Sequence, residues 1–433
     1  MPRAGWVKPE PDQRLSDHIS LGVLTRVFPP EVVDRVLAES GRVEQRRRLL
    51  PARVVVYYVM GLALFSQSSY EEVMRMLVTG HAWSSGWAQE WTVPSKAALF
   101  KARARLGFEP VRELFAQVAV PMAAPGGAGF YRRWRVLSMD GTTLDVADTP
   151  ANEAEFGRPA TGRGEGIGAF PQVRVLALAE SGTHAIIDAA VGAYRQGEQT
   201  LAVSVLGSLS TGTLLLADRG FFSYPLWSAA AATGSDLLWR MKSNAVLPVE
   251  HRHADGSFAS HIYPSTKDRR HGTDALAVRV IEYAVAPRDG DDPDTEPLTY
   301  RLATTLTDPA QAPAVELAEL YSQRWEIESA FDELKTHQRS PRIVLRSRLP
   351  DGVRQEVYGY LCVHYAIRWL MHSVASESDT DPDRLSFTRT LRAARRTIVS
   401  HPGFSPTSTA NSAIAIDTTS ASTGAIALVA FFW

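Results

Sequence analysis

Hydrophobic and polar positions change period along this chain. Up to about residue 120, EVVDRVLAES (31–40), RVVVYYVMGLALFS (53–66) and EEVMRMLV (71–78) space apolar residues three and four apart, which predicts helices. Ser95 in VPSKAALFKARARLG is placed to cap the N-terminus of a basic helix that ends at Gly107. MAAPGGAGF (122–130) then reads as a linker. From Trp134 the pattern turns β-rich: WRVLSMDGTTLDV, QVRVLALAE and THAIIDAAVGAY predict a three-stranded meander. EQTLAVSVLGSL predicts a helix, TLLLAD a buried strand, YPLWSAAAAT a helix and DLLWRMK a fifth strand. SFASHIYP, ALAVRVIEYAV and LTYRLATTL predict further strands around a charged loop, RDGDDPDTEP.

Composition narrows the class. With 433 residues the chain can bury a large core and hold more than one domain. Its 45% hydrophobic and 21% charged residues are those of an ordinary globular protein. Cys362 is the single cysteine, which excludes a disulfide framework and fits a reducing compartment. The N-terminus MPRAGWVKPEPDQR has no secretory pattern. The apolar run VVVYYVMGLALF (54–65) is shorter than the roughly 20 residues of a membrane span, so it predicts a buried helix. A cytoplasmic protein is expected.

A net charge of −1 gives no global pull toward nucleic acid, but phosphate contacts are local. Basic clusters recur in RVEQRRRLLPAR (42–53), KAALFKARAR (96–105), YRRWR (131–135), RIVLRSR (342–348) and LRAARR (391–396). One such cluster alone is a solvated helix face. Five around an acidic centre point to a nucleic-acid track.

The chemistry concentrates in YSQRWEIESAFDELKTHQR (321–339). At about 100° per residue, Tyr321, Arg324, Glu328 and Lys335 fall near 0°, −60°, −20° and −40° on a helix, one shared stripe. An acid, two cations and a phenol on one face suit a metal ion and a phosphate together. Asp332 lies on the same face and is chemically as good a ligand as Glu328, whereas Glu326 and Glu333 fall toward solvent. Upstream, Asp140 and Asp218 each end an apolar strand-like run. Alternation turns Asp145 to the opposite side of its sheet.

The spacing Y-x2-R-x3-E-x6-K with these two aspartates resembles the transposases of the bacterial insertion-sequence-four family. DGTTLDVADTPAN (140–152), LLLADRGFFS (214–223), LRSRLPDGVRQEVYGYLCVHYAIRWLM (345–371) and the opening block LSDHISLGVLTRVFPPEVVDRVLAESG (15–41) match as well. The resemblance covers roughly residues 12–404. It implies an α/β fold: a ribonuclease-H-like catalytic core with a β-strand insertion, flanked by helical regions. The expected parts are a DNA-binding domain over 1–120, a linker over 121–133, and a catalytic domain over 134–345 with its insertion at about 242–300. A helical region over 346–400 and a low-complexity tail over 401–433 complete the chain.

The resemblance also assigns roles. Asp140, Asp218 and Glu328 are the catalytic acids and the ligands of two Mg²⁺ ions, for which Mn²⁺ can substitute. Tyr321, Arg324 and Lys335 contact phosphates at the transposon end. Tyr300 aligns with an aromatic that stacks on a flipped base in relatives, although it stands where a Trp is expected; Trp239 is the other candidate, in an apolar strand. The partners implied are double-stranded DNA, both terminal repeats and target, and a second copy of the chain in the DNA complex, with no membrane. The family's action is cut-and-paste transposition near the nucleoid.

Other features say less. GRPATGRGEGIG (157–168) lacks the Gly-Lys-Ser/Thr of a phosphate loop, and His251, His253 and His261 have no cysteine beside them. The chain departs from the family after HPGFSP: TSTANSAIAIDTTSASTGAIALVAFFW replaces a basic tail, as a frame change or truncation in the gene leaves it. That departure keeps a second reading open, a catalytically impaired remnant that only occupies DNA ends. A third, an unrelated metal-dependent nuclease or phosphatase, accounts for the acids and not for the Tyr–Arg–Glu–Lys pattern.

Overall fold

A computed structural model describes residues 22–44, 50–84, 93–160, 168–285, 298–339, 344–377 and 381–400. The tail 401–433 and the loop 288–297 lie outside the described residues, as does Arg163. The chain forms two compact units, one of Pro121–Asp332 and one that joins the N-terminal 120 residues to everything from Glu333 onward.

The second of these units is helical. Ala52–Leu64 is buried almost all round, as its unbroken apolar run requires, and packs on the long helix Pro350–Glu377. Gly359 permits that approach: a Cβ there lies 2.9 Å from a Val59 methyl and 3.2 Å from the Val59 carbonyl. Lys96–Leu106 forms the expected basic helix, with the Ser95 hydroxyl accepting from the Ala98 N–H and Gly107 closing it at φ 74°. Ser95→Ala is expected to lower the stability of this unit by about 1 kcal/mol, read as a shift in its denaturant midpoint. Only part of that helix's charge faces water. Lys96 and Lys101 are exposed, while Arg103 is buried and donates to Gln355 (2.7 Å), Ser347 (3.0 Å) and the Gly352 carbonyl (3.2 Å).

The other unit is built on one ten-stranded mixed sheet. Its strands are β1 (Phe130–Tyr131), β2 (Trp134–Asp145), β3 (Gln172–Glu180), β4 (Ile186–Ala193), β5 (Thr213–Ala217), β6 (Asp236–Arg240), β7 (His251–Arg252), β8 (Phe258–Ile262), β9 (Leu276–Val285) and β10 (Leu298–Thr304). β2, β3 and β4 form the predicted antiparallel meander, and β5 and β6 add in parallel beyond β2. The order is β4-β3-β2-β5-β6-β10-β9-β8-β7, with β1 paired to β2. The expected insertion is therefore no separate sheet: β10 pairs antiparallel with β6 and carries β9, β8 and β7 outward in the same layer.

Side-chain alternation assigns the faces. Trp134, Val136, Leu214, Leu216, Leu238, Leu302 and Ile281 share one core with Leu317, Leu320 and Tyr321 of the helix Ala314–Tyr321. Arg279 also sits wholly inside, donating to Ser257 (2.7 Å), the Ala312 carbonyl (2.6 Å) and Asp255 (2.5 Å).

Candidate active site

The sheet brings the two aspartates together. Met139 pairs with Ala217 across parallel β2 and β5, so Asp140 and Asp218 stand one residue further along on neighbouring strands. Both continue the alternation of Val136 and of Leu214 and Leu216, so both face the side covered by Ala314–Tyr321. Asp218 leaves the carboxyl end of β5, whereas Asp140 does not end its strand as the apolar run suggests: β2 runs on to Asp145, and Asp140 stands where its parallel pairing with β5 stops.

The segment after Tyr321 is not the single helix its spacing predicts. Ala314–Tyr321 is followed by a 3₁₀ turn, Ser322–Trp325, an α-helix, Glu326–Asp332, and a π-helical stretch, Glu333–Gln338. A 3₁₀ turn has three residues per turn, so the even stripe breaks at Arg324. Tyr321 and Arg324 turn inward, 3% and 5% exposed, while Glu328 stays exposed. The phenol is part of the core after all: Tyr321 donates to the Ala217 carbonyl at 3.2 Å, one residue before Asp218. Burial pushes the Tyr321 phenol well above its ordinary range.

Arg324 lies between two of the acids. One guanidinium nitrogen is 3.5 Å from Asp140 Oδ2 and the other donates to Glu328 Oε1 at 2.9 Å. Burial works against its charge, but the bond to Glu328 and the fields of Tyr321, Asp140 and Asp218 outweigh that and raise its pKa. Its guanidinium carbon is 4.7 Å from the ring centre of Trp325, a half-exposed tryptophan. Asp218 has a cation of its own: Arg240, at the end of β6, is 3.8 Å away. Among the described residues, no three His, Cys, Asp or Glu side chains converge closely enough to hold a metal ion. The guanidinium of Arg324 separates Asp140 from Glu328.

Burial pushes the Asp140 carboxyl up to about 6, opposed by the Gly141 N–H and Arg324 and reinforced by Glu328 and Glu198. A carboxyl raised in the folded chain favours folding at acid pH, and that contribution disappears as pH rises through about 6. Asp140→Asn is therefore expected to stabilise the metal-free protein at pH 8 by on the order of 2 kcal/mol, with little difference near pH 4. Melting curves in EDTA at both pH values check this; the same shift at both would show that Asp140 does not titrate between them.

The remaining expected residues divide. Lys335 is half-buried in the π-helical stretch and belongs to the helical unit. Tyr300 faces Tyr283 across β10 and β9, stacked at 5.5 Å, and the Arg240 guanidinium lies 3.9 Å from its ring centre. Trp239 is fully buried against Trp227, a core residue. Two acids differ from the expectation of solvent. Glu326 accepts from the Gly182 N–H, and Glu333 is buried on His364 (3.0 Å) and Arg368 (2.9 Å). Asp332 is exposed. His261 is bound to Glu250 at 2.5 Å, and His251 and His253 pack edge to face. Arg158 pairs with Asp148 and Glu153.

Sequence reasoning missed Arg240 and Glu198. Arg240 was legible as a cation ending the strand beside the one that delivers Asp218. Glu198 starts the helix Glu198–Val205, and its carboxylate lies against Gly141, where a Cβ would come within 2.7 Å of it. Nothing in the spacing pointed to that contact.

Two families match the chain: "Insertion element 4 transposase N-terminal" over residues 18–116 and "Transposase DDE domain" over residues 133–365. The chain belongs to the DDE transposases of the insertion-sequence-four family. It is 28% identical over 383 residues to the transposase InsG for insertion sequence element IS4 of Escherichia coli (strain K12), covering 87% of this chain and 83% of that one. It is 27% identical over 217 residues to the putative transposase InsZ of the same strain, covering 49% of this chain and 68% of InsZ. The putative transposase y4zB of Sinorhizobium fredii (strain NBRC 101917 / NGR234) is 29% identical over 169 residues, 37% of this chain and 43% of that one. As a DDE transposase the chain acts in DNA transposition. Among the described residues, no helix is long and apolar enough to cross a membrane.

Proposed function

We propose that this transposase moves its element by cut-and-paste, with Asp140, Asp218 and Glu328 as the acids of one metal-dependent site in a ribonuclease-H-like core. The observation that carries the reading is the register of β2 on β5, which sets Asp140 beside Asp218 under the segment that bears Glu328. The strand order β4-β3-β2-β5-β6, antiparallel then parallel, supports that core.

The donor chemistry of Asp140, Asp218 and Glu328 suits divalent Mg²⁺, although Arg324 lies between Asp140 and Glu328 and the three acids do not converge as they stand. All three are carboxylates, the hard oxygen donors such an ion takes, and Glu328 and Glu198 lie near Asp140, each now held by an arginine, Arg324 and Arg174. Two metal ions would supply an activated nucleophile and a stabilised leaving oxygen for in-line displacement. Asp140, Asp218 and Glu328 would hold them. Water attacks the phosphorus at the transposon end, the bond to the 3′-oxygen breaks, and a 3′-hydroxyl and a 5′-phosphate remain. That hydroxyl next attacks the opposite strand to give a hairpin, which a second water reopens, and finally joins target DNA.

Arg324 and Lys335 suit phosphate, as a fork and as a point charge. Tyr321 serves that site differently, by fixing the backbone that presents Asp218. Tyr300 remains the candidate for stacking on an unpaired base; Tyr283 and Arg240 then form the platform's other layers. Two copies of the chain bridge the two ends. The test is a cleavage assay on labelled DNA carrying the element's terminal repeats. Mg²⁺-dependent 3′-hydroxyl ends and joined products support the reading. Binding with no cleavage supports the impaired remnant, and cleavage with no joining supports a plain nuclease.

A further inference from the structure

Arg324 combines features that a simple phosphate contact does not need. Its guanidinium is bound at one edge to Glu328 (2.9 Å) and approaches Asp140 at the other (3.5 Å), joining two acids that the proposed chemistry assigns to metal. Its side chain is only 6% exposed, and among the described residues its buried Nε has no hydrogen-bond partner. The buried Arg279 satisfies its donors more fully, with Asp255, Ser257 and two carbonyls. Glu328 is 44% exposed and Trp325 is half-exposed beside the guanidinium, so one side of this cation opens toward solvent.

We propose that Arg324 is a stand-in cation: it neutralises Asp140 and Glu328 until a divalent metal takes them, and the released guanidinium then binds a DNA phosphate. This rests on the metal-site reading above. One singly charged, delocalised guanidinium and a compact doubly charged ion compete for the same carboxylate oxygens, and a divalent ion draws oxygens in to about 2.0–2.1 Å. Once its two partners are taken, Arg324 is a buried positive charge beside another one, which is costly without a new anion. The phosphate backbone is that anion, and the planar fork matches it.

Metal and DNA therefore favour each other through one residue. Linkage makes the effect reciprocal: whatever factor DNA adds to metal affinity, metal adds to DNA affinity. The exchange also keeps the carboxylates neutralised in the DNA-free protein, so metal is held firmly only where there is DNA to cut.

The test measures Mn²⁺ affinity of the full chain by electron paramagnetic resonance, with and without a duplex bearing the terminal repeat. In wild type the duplex is expected to tighten Mn²⁺ binding by about tenfold, within the usual range of such coupling. In Arg324→Gln, Mn²⁺ binding without DNA is expected to tighten by a similar factor, and the DNA-induced gain to vanish. Arg324→Lys keeps a charge and is expected to hold the wild-type DNA-free affinity. No DNA-induced gain in wild type, a gain that survives in Arg324→Gln, or weaker DNA-free Mn²⁺ binding in that variant each overturns the proposal. Because the wild-type measurement stands alone, poor folding of a variant does not shield it. Asp140→Asn separates the two levels: Mn²⁺ binding unchanged by that substitution sinks the metal-site reading itself.

Discussion

Asp218→Ala is expected to abolish Mg²⁺-dependent cleavage at the transposon end, by at least roughly three orders of magnitude, or about 4 kcal/mol of barrier. The size follows from position. Asp218 leaves β5 directly beside Asp140 on β2, and the Tyr321 bond to the Ala217 carbonyl fixes the backbone just before it. No other described carboxylate pairs with Arg240 in its place. The loss is chemical and not structural, because Asp218 is part-exposed at a strand end and its removal opens no core cavity. Gel-shift affinity for the terminal repeat and the melting temperature are therefore expected to stay near wild type while product formation disappears. Cleavage that persists in this variant would exclude Asp218 from the catalytic acids.

The second large effect is on stability. Arg279→Ala is expected to cost about 3–5 kcal/mol, the usual consequence of removing one partner from a buried pair. Arg279 is 0% exposed, and its loss strands Asp255 and the carbonyls of Leu306 and Ala312 without their donor. Desolvation lowers the Arg279 pKa, and Asp255 answers it. Burial acts against the Asp255 carboxylate too, but hydrogen bonds from Ser257 and Ala314, with Arg279, hold it below its usual range. By sign, that contribution is present above the ordinary carboxylate pKa and is lost as pH falls through the lowered one. Thermal unfolding is expected to fall by roughly 10 °C at neutral pH. A change under 2 °C, about the effect of a surface substitution, would remove Arg279 from the supports of the sheet's outer half.

Much of this was legible in the chain. A period of two in WRVLSMDGTTLDV and QVRVLALAE, followed by short unbroken apolar runs at TLLLAD and DLLWR, is enough to predict a meander and then buried parallel strands. Asp140 and Asp218 stood out because each is a carboxylate directly after an apolar run, although β2 continues past Asp140 to Asp145. The family motif supplied Glu328 over Asp332; geometry alone did not choose between them. The structure adds the bond that Arg324 makes to Glu328.

What the sequence could not determine is how non-local contacts tilt local geometry. A constant 100° per residue put Tyr321, Arg324 and Glu328 on one exposed stripe, yet packing on the sheet tightened residues 322–325 into a 3₁₀ turn and drew the phenol and the guanidinium inside. Glu333, expected in water, is buried because His364 and Arg368 meet it from a helix some thirty residues further along. β10 extends the sheet that carries Asp140 and Asp218 because β6 has an open edge for it, and edge pairing leaves no local periodic signature. Periodicity reports which face of an element is apolar. Which charge fills the gap between two others is set only when the chain closes, because that depends on distances between residues far apart in sequence.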